Sequence, residues 1–252
     1  MNSKVNPFKA NLLLGKTALV TGAGKGIGRQ CALSLAETGA HVIAVARTES
    51  DLISLKSEAG DNLTAKAADA SSDSFLDYLR NLPTIDILVN NLGTNNPQAL
   101  IELTDETLDN MLSLNIRTVF RITQQIVKNM LSRDVAGSII NISSQMGHVG
   151  SPNRTVYCAT KHAIEGFTKA SAVELGPMGI RVNSVCPTFI ETPLTKPMLE
   201  DEDFKRFVID KIPLGRIGQV SDVANAVVFL ASDAASMITG SSIMVDGGWT
   251  AH

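Results

Sequence analysis

Lys16-Thr17-Ala18-Leu19-Val20-Thr21-Gly22-Ala23-Gly24-Lys25-Gly26-Ile27-Gly28 is the stretch that decides the fold. Its first half, Lys16–Thr21, is a short β-type run. Its second half alternates glycine with other residues at positions 22, 24, 26 and 28. From about Gly26 to Thr38 the pattern is helical, and Gly39 is a natural stop. A strand that turns tightly into a helix aims the helix's free N–H groups and positive dipole end at the turn. Glycine lets the turn take positive φ and lets a pyrophosphate approach the backbone. The context predicts dinucleotide binding at Gly22, Gly26, Ile27 and Gly28, with a ligand-free tight connection as the plain alternative. No Gly-Lys-Ser/Thr follows, so the turn is not a P-loop.

Outward from this unit, β-type runs alternate with helical ones. Further strands are expected at His41–Ala46, Leu63–Ala68, Ile85–Asn90, Gly137–Ser143, Ile180–Cys186 and Ser242–Val245. Runs such as Ile85-Asp86-Ile87-Leu88-Val89 are nearly all apolar, as in strands covered on both faces. Helices are expected over Asp105–Leu131, Thr155–Leu175 and Ser221–Ala231, with Ser221 as N-cap; Thr48 and Asp51 resemble a capping box opening another. The alternation predicts an α/β fold, a doubly wound Rossmann-type parallel sheet of about seven strands with helices on both faces. Such a sheet binds ligands beyond the carboxyl ends of its strands.

The 252 residues suit one domain, 1–252. With 4 % aromatic residues and a net charge of −3, nucleic acid is an unsuitable partner. No apolar run reaches the roughly 18–20 residues of a membrane span, and the short Leu12–Leu14 run does not make a secretory signal. The expected location is cytoplasmic. Cys31, Cys158 and Cys186 are scattered and odd in number, which suggests neither a disulfide framework nor a metal site.

Several motifs, in order, resemble those of the short-chain dehydrogenase/reductase family. The glycine turn has the spacing TGxxxGxG. Asn90-Asn91-Leu92-Gly93 is similar to the family's NNAG, with Leu92 in place of alanine. Asn115, Ser144, Tyr157 and Lys161 match its catalytic Asn, Ser, Tyr and Lys. Pro187-Thr188 stands where Pro-Gly is usual, and Asp246-Gly247-Gly248 fits the end of the last strand. Ala46–Leu52, Ser143-Ser144-Gln145 and Val156-Tyr157-Cys158 carry a resemblance to the dicarbonyl and L-xylulose (carbonyl) reductase branch. The resemblance implies an NAD(P)-dependent oxidoreductase acting on CH–OH groups.

Cofactor preference turns on the end of the second strand. A carboxylate there would bind the ribose 2′-hydroxyl of NAD, but the residue is Arg47, which suits a 2′-phosphate. Lys25 could add a second charge, and Glu49 and Asp51 read as first-turn helix acids. NADP(H) is therefore favoured over NAD(H), with Arg47 and Thr48 at the phosphate. The resemblance further implies Asp69 near the adenine, and Asn91, Gly93, Pro187, Ile190 and Thr192 along the cofactor, the last two at the carboxamide.

Tyr157 and Lys161 are four residues apart, so on a helix they share one face. A phenol ionises near pH 10, and activity as a base near pH 7 needs a shift worth about 4 kcal/mol. An ammonium about 4 Å away supplies on the order of 4 kcal/mol at an effective dielectric near 20. Lys161, helped by the positive oxidised nicotinamide, is thus expected to lower the Tyr157 pKa against the opposing desolvation. By the resemblance, Ser144 holds the substrate oxygen, Lys161 also holds the nicotinamide ribose, and Asn115 holds a water. Read from its residue type alone, Asn115 could equally tie backbone groups. Gln145 and His148 are candidate substrate contacts or satisfied loop groups. Residues 193–213, with three prolines, an acidic cluster and an amphipathic segment, form an expected substrate lid.

The favoured reading is an NADP(H)-dependent enzyme interconverting a ketone and a secondary alcohol on a small dicarbonyl, sugar or polyol. Alternatives are a 3-oxoacyl-carrier-protein reductase, an NAD-dependent polyol or sugar dehydrogenase, and a non-enzymatic dinucleotide sensor. The resemblance implies a homotetramer built on the helices bearing Asn115 and Tyr157.

Overall fold

The computed structural model describes residues 7–251, so residues 1–6 and 252 of the expected domain lie outside the described part. Seven parallel strands form one sheet in the order β3-β2-β1-β4-β5-β6-β7. They are β1 Thr17–Thr21, β2 His41–Ala46, β3 Leu63–Ala67, β4 Ile87–Asn90, β5 Ser138–Ile142, β6 Arg181–Pro187 and β7 Ser242–Val245. The order reverses between β1 and β4, which opens a crevice beyond their carboxyl ends. Helices α1 Gly26–Glu37, α2 Glu49–Ala59, α3 Asp73–Arg80, α4 Asp105–Leu112, α5 Thr118–Leu131, α6 Thr155–Leu175, α7 Lys196–Leu199, α8 Glu202–Asp210 and α9 Val220–Ala231 complete the fold.

Two apolar cores cover the two faces. One joins Val20, Ala44, Val89 and Ile140 to Cys31 and Leu35 of α1, Leu52 of α2 and Val227 of α9. The other joins Leu19, Val45, Leu88 and Ile139 to Phe75 of α3, Ile122 and Ile126 of α5 and Leu175 of α6. Alternate residues of each strand serve opposite cores, which is why the central strands read as continuous apolar runs.

A polar thread crosses this core below the site. The Asn90 amide donates to Thr123 Oγ1 and to Asn141 Oδ1, both at 2.9 Å, and the Asn141 amide donates to Thr168 Oγ1 at 2.9 Å. These bonds lock the ends of β4 and β5 against α5 and α6. Each is shielded from water, so a broken one leaves a costly orphan.

Three local expectations are corrected. The helix expected unbroken over 105–131 contains a π-helical turn, Ser113–Arg117, which carries Asn115. Ser221 is not the cap of α9: Gln219 is, in a capping box with Asp222, whose Oδ2 accepts from the Gln219 N–H at 2.7 Å. Thr48 does occupy the N-cap of α2 but makes no side-chain cap bond, and the Asp51 carboxylate lies 3.5 Å from Lys25, so the capping box is not formed.

Candidate active site

Tyr157 and Lys161 lie one turn apart on α6, at the carboxyl edge of the sheet. Ser144 follows β5 directly in extended backbone, where its hydroxyl accepts from Met146 N–H at 3.1 Å. The same hydroxyl faces the Tyr157 phenol and acts to lower its pKa. Ser143 turns the other way, toward Glu165. Of the two serines, Ser144 is therefore the one that faces the tyrosine.

In the protein alone, burial governs the charge balance. Lys161 Nζ lies 5.6 Å from the centre of the Tyr157 ring and donates to the Ile142 carbonyl at 2.9 Å. Burial pulls the Lys161 pKa down from 10.5 to about 8. Burial also raises the Tyr157 pKa above its ordinary 10; the Ser144 bond and the Arg154 charge act in the lowering direction. In the protein alone burial outweighs both lowering influences, that of Ser144 and, after it, that of Arg154.

Asn115 is turned inward by the π-helical turn and is fully engaged. Its Oδ1 accepts from Thr94 N–H at 2.8 Å, and its amide donates to Thr94 O at 2.9 Å and Thr160 Oγ1 at 3.1 Å. It ties the segment after β4 to the catalytic helix. Gly93 sits over this junction: a Cβ there would lie 3.5 Å from Asn115 Oδ1 and 3.6 Å from Lys161 Nζ.

The glycine turn is clamped from β4. The Asn91 amide donates to the carbonyls of Thr21 and Gly22 at 3.3 and 3.1 Å, and Asn91 N–H donates to Thr21 Oγ1 at 3.1 Å. A Cβ on Gly28 would fall 2.3 Å from both Asn91 Nδ2 and the Gly22 carbonyl oxygen, so only glycine fits. No side chain caps the start of α1. Its N–H groups are left for an anion, as a dinucleotide pyrophosphate requires. Gly22 and Gly26 take positive φ, 65° and 56°.

The remaining candidates ring this turn. Arg47 is exposed just past β2, and its charge reaches Asp69. Asp69 is held low by the backbone and hydroxyl of Ser71, at 2.9 and 2.7 Å. Thr48 is exposed beside Arg47. Lys25 is paired with Asp51, which leaves Arg47 the freer cation. Pro187 ends β6, and Ile190 is buried where its backbone bridges Gly218. The Thr192 methyl would lie 3.3 Å from a Cβ on Gly26, so the start of the 193–213 segment abuts the glycine turn. These residues fit a dinucleotide with an anionic group at its adenosine end.

His148 and Gln145 part company. His148 Nε2 lies 3.5 Å from both Cys186 Sγ and Glu165 Oε2, in a cluster that also binds Ser184 and Ser242 to the Glu165 carboxylate at 2.9 and 2.5 Å. This cluster ties α6 to β6 and β7. Gln145 is 1 % exposed, and its Oε1 has no partner. Beyond β6, an aromatic group was not foreseen: Phe189 meets Phe204 edge to face at 5.6 Å and lies 5.9 Å from Trp249, and Phe207 lies 6.5 Å from Trp249. It fastens α8 to the loop after β6 and to the C-terminal turn.

The comparisons with known proteins agree with this geometry. The family profile described as enoyl-(acyl carrier protein) reductase matches residues 22–250. L-xylulose reductase of Bos taurus is 42 % identical over 239 residues, covering 95 % of this chain and 98 % of that protein. Carbonyl reductase (NADPH) 2 of Sus scrofa is 39 % identical, covering 94 % and 97 %. A solved structure with NADP bound at low occupancy, provisionally named an NAD(P)-dependent gluconate 5-dehydrogenase of Beutenbergia cavernae, superposes with a TM-score of 0.91 at 33 % identity, over 97 % of this chain and 100 % of that one. The chain belongs to the short-chain dehydrogenase/reductase family. It is a nicotinamide-dependent oxidoreductase that interconverts ketones and secondary alcohols.

Proposed function

We propose that this protein reduces a small sugar ketone or dicarbonyl with NADPH, and that Tyr157 is the proton donor. The observation that carries the reading is the convergence of Ser144, Tyr157 and Lys161 beside a glycine turn whose nearest free cation is Arg47. Relatives named L-xylulose reductase and carbonyl reductase support the substrate class.

When bound, the dinucleotide supplies the hydride for the carbonyl carbon and, once oxidised, a positive charge. The protein's task is the oxygen. Ser144 donates a hydrogen bond to it and fixes its position. Tyr157, kept protonated by burial, gives its proton as the oxygen becomes an alkoxide. A raised phenol pKa favours an acid, and hence reduction, near neutral pH. Lys161 holds the ribose and faces the phenol ring, and Asn115 fixes the strand-end segment against Lys161's helix. Gly22, Gly26, Ile27 and Gly28 receive the pyrophosphate, Arg47 and Thr48 a 2′-phosphate, Asp69 the adenine side, and Asn91, Gly93, Pro187, Ile190 and Thr192 the nicotinamide half. Gln145 faces substrate, and His148 enters the same reading only as support for that turn.

Residues 193–213 are the lid in this reading, supported by their contact with the glycine turn at Thr192. A carrier-protein substrate is disfavoured because the last turn of α6 has no basic residue. A homotetramer built on α4, α5 and α6 is supported by the half-exposed Phe120, stacked 4.0 Å from Phe167, and by a groove lined by Asp109, Leu112, Ile116 and Phe120. Sedimentation as a monomer would remove that part. A cytoplasmic site is supported by the free cysteines Cys31, Cys158 and Cys186; among the described residues no helix is long and apolar enough to cross a membrane.

The central test is Tyr157→Phe, assayed by NADPH absorbance with a panel of ketoses and dicarbonyls. Turnover should fall by at least about 10²-fold, with NADPH affinity nearly intact. Normal turnover in the variant would overturn the assignment.

A further inference from the structure

Arg154 is a buried cation that no carboxylate answers. The residue is only 9 % exposed, and among the described residues its side chain makes no hydrogen bond or ion pair, while its nitrogens keep contact with water. A guanidinium enclosed in this way with no acid beside it is free to receive an anionic group of a ligand. Its position is fixed by the fold. Asn153 takes left-handed φ of 59° and its carbonyl accepts from Gln98 N–H at 2.9 Å, which pins the turn before α6 to the segment after β4. Arg154 then caps α6 three residues ahead of Tyr157, and its guanidinium carbon lies 6.0 Å from the centre of the Phe189 ring. It stands between the proton donor and the loop that follows β6.

A second observation is independent of the first. In the segments that follow β4, β5 and β6, five buried side-chain oxygens have no hydrogen-bond partner: Asn95 Oδ1 and Gln98 Oε1 after β4, Ser143 Oγ and Gln145 Oε1 after β5, and Thr188 Oγ1 after β6. Three are amide acceptors, and two are hydroxyls. Orphans of this kind are rare in folded proteins, and here they gather in the segments around the catalytic tyrosine. Acceptors without donors are complementary to a ligand rich in hydroxyl groups.

We propose that the substrate is a polyhydroxy ketone that also bears a carboxylate, a keto derivative of a sugar acid, with Arg154 as the anchor of its carboxylate. The proposal rests on the ketone-reductase reading above and narrows its substrate class. Arg154 presents a planar fork of N–H donors that matches a carboxylate in two parallel bonds. The amides of Asn95, Gln98 and Gln145 take the chain hydroxyls. The cation's charge is answered only when the acid is bound, so binding energy is spent on orienting the ketone toward Tyr157 and Ser144.

The test uses two probes, 5-keto-D-gluconate and L-sorbose, which differ only by a carboxylate in place of a terminal hydroxymethyl. Steady-state NADPH oxidation is measured with the full-length enzyme, its Arg154→Met variant and its Arg154→Lys variant. The wild type should prefer the keto acid in kcat/KM by at least about tenfold. Arg154→Met should reduce the ratio of the two kcat/KM values by about thirtyfold or more, mainly through the keto-acid KM, and Arg154→Lys should keep part of it. The ratio cancels any common effect of Arg154 on Tyr157. Equal losses on both probes, or no wild-type preference for the acid, would overturn the role of Arg154 and leave the ketone-reductase reading standing. Absence of NADPH oxidation with every ketose and dicarbonyl would instead overturn that reading.

Discussion

Replacing Lys161 by methionine should abolish turnover and yet make the cofactor-free protein more stable at pH 7. The ammonium is 5 % exposed, and its pKa in the fold is about 8 against an ordinary 10.5. Below pH 8 the group is charged in both folded and unfolded states, and the fold carries the full cost of burying it. At 1.36 kcal/mol per pH unit that cost is about 3 kcal/mol. Between pH 8 and 10.5 the unfolded chain binds more protons than the folded one, so the wild type gains stability as pH rises through that window. Methionine fills the same channel without a charge. It forfeits the bond to the Ile142 carbonyl, worth about 1 kcal/mol. The net gain at pH 7 is about 2 kcal/mol, or roughly 4–8 °C in Tm for a chain of this length. Thermal and urea denaturation at pH 7 and pH 10, at one protein concentration, measure it. The advantage should vanish by pH 10. A variant no more stable than wild type at pH 7, or a difference that does not change with pH, would refute the reasoning.

Two further outcomes follow from the cofactor face. Arg47→Asp should lower kcat/KM for NADPH relative to NADH by at least about tenfold, because it removes the exposed cation at the end of β2 and offers a ribose acceptor; an unchanged ratio in steady-state assays would move the phosphate site elsewhere. Gly28→Ala should weaken NADPH binding in a fluorescence titration by about tenfold and cost about 1–3 kcal/mol in denaturation, since its Cβ would lie 2.3 Å from Asn91 Nδ2 and the Gly22 oxygen; wild-type values for both would mean the clamp on the glycine turn is looser than drawn.

Much of this architecture was legible in the chain because its signals are local. The glycine turn, the apolar strand runs and the four-residue step from Tyr157 to Lys161 each lie within one element, and the sheet follows from their alternation. What was hidden depends on distant partners. Glu165 reads as one more helix acid, but it meets Ser184 and Ser242 across the sheet, 19 and 77 residues on. Arg154 reads as a flanking charge, and only the fold encloses it without giving it an acid. The π-helical turn at Asn115 has no glycine or proline to announce it. The bond of Lys161 was hidden for a related reason: a spacing of four places it on one face with Tyr157 but says nothing of the carbonyl at Ile142 that claims the ammonium.

The chain contains a single tryptophan, Trp249, and the fold places it against Phe189 and Phe207. Indole emission from the unlabelled protein therefore comes from one location, the joint between α8, the loop after β6 and the C-terminal turn. Any rearrangement of α8 changes the polarity around that one ring. The molecule carries its own spectroscopic gauge of the α8 segment, readable on the millisecond scale without a dye, a cysteine substitution or a second fluorophore to subtract.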